Sequence, residues 1–120
     1  MTCIRNGFWL LLGLSAAALG GQTDVLSVIV DCDPSRKCSF NVTVSHADAG
    51  WEHYADHFRV LGPEGKELGR RVLYHPHVTE QPFTRSLEGV PIPAEIGEVT
   101  VEAHDSVHEY GGRKISVILP

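Results

Sequence analysis

Residues 38–45 read CSFNVTVS, and large apolar side chains occupy every second position of the stretch from Phe40 onwards. Phe40, Val42 and Val44 fall on one face of an extended chain, and the polar residues between them fall on the other. This period of two predicts a β-strand with one buried face and one exposed face. No stretch beyond residue 20 shows the sustained period of an amphipathic helix, so the sequence predicts an all-β protein.

Similar short runs recur along the chain, and turn residues separate them. The other predicted strands cover residues 25–30, 54–61, 68–74, 83–87, 98–103 and 114–119. Gly62-Pro63-Glu64-Gly65 has the composition of a hairpin turn, and residues 89–93 are expected to form an extended link. Seven short strands at this spacing predict a two-sheet β-sandwich of the immunoglobulin or fibronectin type III kind. A small β-barrel is the alternative.

The N-terminus has the pattern of a secretory signal peptide. Arg5 supplies a positive charge, residues 8–14 are mostly apolar, and small residues at 15–20 offer a cleavage site. The apolar run is shorter than the roughly 20 residues that cross a bilayer, although a retained N-terminal anchor is an alternative. We therefore predict a signal peptide over residues 1–20 and a single β-sandwich domain over residues 21–120, either periplasmic or secreted.

Two of the three cysteines, Cys32 and Cys38, lie beyond the predicted signal peptide. An even pair in an exported protein usually forms a disulfide, so we predict a Cys32–Cys38 bridge. Closing a loop this short contributes about 2 kcal/mol by the loop-entropy estimate. A redox-active pair is the alternative, but redox motifs usually have fewer intervening residues. No cysteine stands at the predicted cleavage point, which argues against a lipid anchor.

The charge of the chain narrows the class of partner. The full sequence carries a formal net charge of −5 at pH 7, and the predicted signal peptide contains one basic residue and no acidic one. A negative mature domain argues against nucleic acid or an anionic membrane as a partner, and it mildly favours cations. No later stretch is long and apolar, so we expect no membrane insertion after signal cleavage.

Histidine is the residue type that carries most information about function here. All seven histidines follow residue 45: they are His46, His53, His57, His75, His77, His104 and His108. Imidazole is a common ligand of transition metals, copper and zinc among them. If the strands run alternately up and down, the loops that begin at residues 46, 75 and 104 meet at one end of the sandwich. The order of the strands therefore predicts a metal site there.

The spacing of the histidines ranks the candidate ligands. His75 and His77 are two residues apart and point the same way on an extended chain, so they are the strongest candidates. The remaining candidate ligands, in order, are His104, His108, His53 and His46. Nearby carboxylates are expected to bind the metal or to fix the histidine tautomers: Asp48, Asp56, Glu80 and Asp105. His57 is expected to be structural, packed beside Tyr74 or an arginine.

Three runs of residues carry a resemblance to a known group of proteins. They are HADAGWEHYAD at 46–56, HPHVTEQPFTRS at 75–86 and AHDSVH at 103–108. These runs resemble those of a family of small exported bacterial proteins, and the resemblance covers nearly all of the predicted mature chain. It implies an exported single domain and adds no catalytic residues. The chain also loosely resembles immunoglobulin-like domains, but it lacks their spacing of inter-sheet cysteines.

The sequence supports three hypotheses of function. The first is an exported β-sandwich that binds copper or zinc through loop histidines, for capture, delivery or sensing of the metal. The second is a binding module whose histidine- and acid-rich face docks an exported protein partner. The third is a metal-dependent enzyme, which the small domain and the absence of a nucleophile elbow disfavour. We predict no catalytic residue.

Overall fold

The computed structural model describes residues 22–120, so the predicted signal peptide over residues 1–20 lies outside the described residues. Seven strands follow one another along the chain. They are β1 Asp24–Cys32, β2 Lys37–Ser45, β3 Ala55–Leu61, β4 Glu67–Val72, β5 Phe83–Pro91, β6 Glu98–Asp105 and β7 Ile115–Ile118. A short 3-10 turn at Pro63–Gly65 joins β3 to β4 and confirms the predicted hairpin. Within residues 22–120 we find no helix long and apolar enough to span a membrane.

The strands form two antiparallel sheets. One sheet has the order β1-β2-β5, and the other has the order β4-β3-β6-β7. This arrangement confirms the predicted all-β, seven-stranded sandwich, and two separate sheets replace the alternative of a closed barrel. The chain crosses between the sheets three times, from β2 to β3, from β4 to β5 and from β5 to β6, and the ends of β2, β4 and β6 lie at the same end of the molecule.

The core lies between the sheets and uses the alternating pattern of the sequence. Phe40, Val42 and Val44 of β2 are fully buried, and they share one apolar cluster with Phe58 and Val60 of β3. Burying a side chain of this size contributes about 1.5–3 kcal/mol. The period of two in residues 38–45 therefore fixes which face of β2 turns inward.

The structure corrects several predicted boundaries, and three of them concern β4, β5 and β6. Strand β6 continues to Asp105 instead of ending at residue 103, so His104 lies on the strand and not in the loop after it. Strand β5 continues to Pro91 instead of ending at residue 87, because one extra residue is accommodated opposite β2 and Gly89 takes a positive φ of 69° there. Strand β4 ends at Val72 instead of residue 74. The next residue, Leu73, turns into the core and leaves Tyr74 77% exposed.

The cysteine pair closes the hairpin between β1 and β2. Cys32 and Cys38 are bonded, as predicted, and they are also register partners in the sheet. In the turn between them, the carboxylate of Asp33 accepts hydrogen bonds from the backbone N–H groups of Ser35 and Lys37, both at 2.9 Å. The bridge stands at the opposite end of β2 from His46, so it stabilises the fold at a distance from the histidines.

Candidate metal centre

The three histidine-bearing loops meet at one end of the sandwich. The backbone N–H of His46 donates to Oε1 of Gln81 at 2.9 Å, which ties the loop after β2 to the loop after β4. The backbone N–H of Ser106 donates to the carbonyl of Tyr54 at 3.0 Å, which ties the same loop to the one after β6. The histidines of three distant stretches of sequence therefore share one region of the fold.

His46, His53 and Asp105 form the first candidate site, which we call the His46 cluster. One ligand atom from each residue lies within 4.8 Å of the other two. Nε2 of His46 is 3.2 Å from Nε2 of His53 and 3.7 Å from Oδ2 of Asp105. Nε2 of His53 is 3.4 Å from Oδ1 of Asp105. Donors bound at about 2.0–2.1 Å to a tetrahedral ion stand roughly 3.3 Å apart, so these separations suit a shared ion.

Asp48 fixes the orientation of His46. Its carboxylate is buried and accepts the backbone N–H of Ala55 at 3.0 Å and that of His77 at 2.6 Å. The same carboxylate contacts Nδ1 of His46. Because an ionised carboxylate only accepts hydrogen bonds, Nδ1 of His46 carries a proton, and Nε2 is the nitrogen that faces His53 and Asp105. This carboxylate–imidazole pairing is how proteins orient metal-binding histidines.

Asp105 is held as a buried carboxylate by the chain around it. Thr23 donates its hydroxyl to Oδ2 at 3.3 Å, and the backbone N–H groups of Val107 and His108 donate to Oδ1. Burial raises the pKa of Asp105, but the two backbone hydrogen bonds and the nearby His46 and His108 outweigh it and leave the pKa below its usual value. Asp105 therefore stays ionised at neutral pH.

The His46 cluster brings two imidazole rings to one buried carboxylate. Nε2 of His46 and Nε2 of His53 both face Asp105, whose ionised carboxylate only accepts hydrogen bonds. Among residues 22–120, neither Asp48 nor Asp105 forms an ion pair with a lysine or arginine. The three side chains thus offer two nitrogen ligands and one oxygen ligand within reach of a single ion.

Asp56, His57 and His104 form a second group, which we call the His57 cluster. Oδ1 of Asp56 is 2.6 Å from Nδ1 of His104 and 3.1 Å from Nδ1 of His57. The two imidazole rings stack with centroids 4.5 Å apart, and Nε2 of His57 is 2.7 Å from the hydroxyl of Tyr110. The carboxylate of Asp56 can accept hydrogen bonds from both Nδ1–H groups, and Nε2 of His57 can accept one from Tyr110. These contacts of the His57 cluster can therefore be ordinary hydrogen bonds without a metal ion.

Nearby cations make the His57 cluster a poor place for another one. Burial lowers the pKa of His57, and the charges of Arg70 and His104 lower it further. The guanidinium of Arg59 lies 4.0 Å from the ring centroid of Tyr110. His57 thus packs against Tyr110 and lies near the charge of Arg70, so of the two expected neighbours, Tyr74 or an arginine, the contacts given for His57 favour the arginine.

His75 and His77, the leading candidates from spacing, lie next to each other but outside both clusters. Their ring centroids are 4.9 Å apart, yet His75 is exposed and His77 is buried, stacked on Phe83 at 4.2 Å. Burial lowers the pKa of His77, and its Nδ1 has no hydrogen-bond partner among the described residues. It stands 4.0 Å from Oδ2 of Asp48. The chain here is not a strand, so a separation of two does not put both rings on one face.

Of the other predicted site residues, His108 lies beside the His46 cluster and Glu80 lies outside both clusters. His108 lies beside the His46 cluster, with Nδ1 3.4 Å from Oδ1 of Asp105 and its ring centroid 4.9 Å from that of His53. Glu80 instead pairs with Arg85 at 3.0 Å, and the hydrogen bond from Arg85 lowers the pKa of Glu80. Sequence reasoning missed Thr23 and Tyr110, which no motif singles out.

Comparison with known proteins gives one informative relative. The chain is 40% identical over 96 residues to a protein of Halomicrobium mukohataei whose name reads "Putative lipoprotein". The aligned residues are 80% of this chain and 47% of that protein, so the chain spans about half the length of the curated relative it matches. No family model matches the chain, and no solved structure matches it.

Proposed function

We propose that this protein is an exported β-sandwich that binds a divalent transition metal, copper or zinc, through His46, His53 and Asp105. The observation that carries the proposal is the convergence of two imidazole nitrogens and one carboxylate, with Asp48 contacting Nδ1 of His46 so that Nε2 faces the other two. A metal ion bound here would add positive charge beside two buried carboxylates that, among residues 22–120, pair with no lysine or arginine.

The ligand types favour copper or zinc among the divalent metals. Two imidazoles select borderline transition metals over magnesium and calcium, which prefer oxygen ligands alone. The described cysteines are bonded to each other, so a thiolate site is not available to them. Three protein ligands with a fourth position near the surface suit capture, delivery or sensing of the ion. Turnover of a substrate is not required by any of these roles.

Three observations support export. The relative from Halomicrobium mukohataei carries a name that describes a lipoprotein, and residues 1–20 have the pattern of a signal peptide. A disulfide between Cys32 and Cys38 also suits an oxidising compartment. We therefore place the metal-binding domain in the periplasm or outside the cell, where free copper and zinc are captured or delivered.

The test is the metal content of untagged protein purified from its native compartment, followed by titration of the metal-free protein with zinc and copper(II). We expect about one equivalent of metal per chain and a rise in the thermal midpoint when the ion is added, because binding to the folded state stabilises it. Purified protein without metal, and an unchanged thermal midpoint on adding either ion, would contradict the proposal.

A second candidate function is docking of a protein partner at the same end of the sandwich. Four large apolar side chains on the three histidine-bearing loops are more than half exposed: Trp51 (64%), Tyr74 (77%), Val78 (58%) and Val107 (54%). Aromatic side chains in such positions are common anchors of interfaces. This function is favoured over metal binding if Trp51→Ser abolishes capture of a defined partner while metal titration of the wild type remains silent.

A further inference from the structure

We propose that His108 is an exchangeable fourth ligand of the metal at the His46 cluster, which closes the site when it binds and opens it when it leaves. This inference rests on the proposed metal site and concerns how that site releases its ion. Three features of His108 carry it: its position beside a ligand oxygen, its exposure, and its link to Asp105 through the backbone.

The position of His108 places an imidazole next to the three inner ligands. Its Nδ1 is 3.4 Å from Oδ1 of Asp105, the same separation that joins His53 to Asp105. Its ring lies against that of His53. His108 nevertheless does not belong to the group of three, whose ligand atoms all lie within 4.8 Å of one another. A turn of this side chain would add a fourth donor to the set.

The exposure of His108 separates it from the inner ligands. Its side chain is 36% exposed, whereas those of His46 and Asp105 are fully buried and that of His53 is 23% exposed. His46 is also locked by Asp48, which leaves its ring no second position. The imidazole that meets solvent is therefore the one that an incoming ligand displaces first.

The backbone couples His108 to the site. Its N–H donates to the ligand oxygen Oδ1 of Asp105, and a bridge between Asp105 and Glu109 closes the turn that carries it. Glu109 has a positive φ of 57°, and Gly111 and Gly112 follow it. The turn thus holds His108 close to the metal position while only its side chain moves.

Release of the ion then proceeds by ligand exchange. The His108 nitrogen leaves the metal with its lone pair, and a nitrogen or oxygen donor of an acceptor, such as a small chelator, forms the new bond. No electron is transferred, and the charge of the ion is unchanged. The bonds from the metal to His46, His53 and Asp105 break only after the acceptor has bound the ion.

The test compares His108→Ala with His75→Ala, a matched loss of an exposed histidine at the same end of the fold. Both variants and the wild type are loaded with cobalt(II), whose visible absorption is strong in four-coordinate tetrahedral sites. Zinc-loaded samples are mixed with the chelator EDTA in a stopped-flow instrument. In His108→Ala water can take the fourth position, so we expect the visible absorption to change in intensity and wavelength, zinc to leave roughly tenfold faster or more, and added imidazole to restore the wild-type spectrum.

The outcomes separate this inference from the proposed function. If His108→Ala matches His75→Ala in absorption and in release rate while wild type binds both ions, His108 is not a ligand and the inference is wrong. If wild type binds neither ion, both the proposed function and the inference are wrong. Circular dichroism of His108→Ala, together with the same measurements on His108→Gln, shows that any change does not come from unfolding.

Discussion

The His46 cluster and the His57 cluster contain the same residue types, two histidines and one aspartate, yet their chemistry differs. In the His57 cluster one carboxylate receives two ring N–H groups and a tyrosine hydroxyl reaches the remaining nitrogen of His57. In the His46 cluster Nδ1 of His46 contacts Asp48, and Nε2 lies 3.7 Å from the buried carboxylate of Asp105. We assign the metal to the His46 cluster and not to the His57 cluster.

The two clusters lie on opposite faces of one strand. His104 and Asp105 are consecutive residues of β6, and successive side chains of a strand point to opposite faces of the sheet. Asp105 points inward and is fully buried, while His104 points outward toward Tyr110 and Arg59. The comparison teaches that composition and proximity alone do not rank two candidate metal sites. What distinguishes the two clusters is their surroundings: arginines lie beside the His57 cluster, whereas among residues 22–120 the carboxylates of Asp48 and Asp105 pair with no lysine or arginine.

The largest expected effect comes from removing the inner imidazoles. Replacing His46 and His53 together by glutamine should weaken zinc binding by at least about 100-fold, because two of the three inner donors are lost. The measurement is a competition titration against a chromophoric zinc chelator.

The matched control replaces His57 and His104 by glutamine, which removes the same residue types from the other cluster. We expect zinc affinity within about threefold of wild type for this control, a difference of less than 0.7 kcal/mol on the scale of about 1.4 kcal/mol per tenfold. A loss of zinc binding in the control, with affinity retained in the His46 and His53 variant, would reverse the assignment of the two clusters.

A smaller effect is expected at Asp48, which orients His46 without being placed as a ligand. Asp48→Asn removes the negative charge that holds Nδ1 of His46, and zinc affinity should fall by about 10- to 100-fold. The dissociation constant is again measured by competition. Glu80→Gln serves as the control, because Glu80 pairs with Arg85 and should leave the affinity unchanged. Equal affinities for Asp48→Asn and wild type would show that Asp48 does not orient the site.

The His57 cluster should affect the pH dependence of the free energy of unfolding and not the affinity for metal. Burial, with Arg70 and His104, lowers the pKa of His57 in the folded state, whereas the unfolded value is about 6.5. Below about pH 6.5 the unfolded chain therefore binds more protons, and the free energy of unfolding falls by up to about 1.4 kcal/mol per pH unit from this group. Urea titrations of metal-free protein at pH 7.5 and 5.5 measure the slope.

The variant that isolates this contribution is His57→Gln. Between pH 7.5 and 5.5 it should lose less stability than wild type, because the group with the lowered pKa is gone. A larger loss in the variant would mean that the folded state binds the proton of His57 more tightly than the unfolded state, which is the opposite of a closed, neutral cluster.

The smallest effect is expected at the hydroxyl that completes the His57 cluster. Tyr110→Phe removes the hydrogen bond to Nε2 of His57, so the free energy of unfolding should fall by about 1 kcal/mol at pH 7.5. Zinc affinity should not change. Tyr74→Phe is the matched control, since the ring of Tyr74 is largely exposed and its hydroxyl is expected to contribute nothing measurable.

The sequence predicts the framework well because alternation is a local property. The period of two in residues 38–45 identifies the buried face of β2, and the order of the strands brings the histidine loops to one end. The bond between Cys32 and Cys38 also follows from their number and from the signal-like N-terminus. Each of these inferences needs only residues that are near one another in the chain or a count of strands.

The sequence does not predict which histidines share a ligand position. Asp48 takes its place from contacts with His46, Ala55 and His77, which lie in different stretches of the chain. A register shift between Ala55 and His57 in the pairing of β3 with β6 determines which side chains share a face there. No local pattern in the sequence predicts this shift. Spacing put His75 and His77 first, but the segment between β4 and β5 is irregular and sends the two side chains to different environments.

The most direct test of the metal assignment is long-range proton–nitrogen NMR of the histidine rings during titration of metal-free protein with zinc. Before zinc is added, Nδ1 of His46 should be the protonated nitrogen. At one equivalent of zinc, the resonances of Nε2 in His46 and His53 should move to values of metal-bound nitrogen, while those of His57 and His104 keep their positions. Zinc-dependent shifts confined to His57 and His104, or no shift in any histidine, would contradict the proposal.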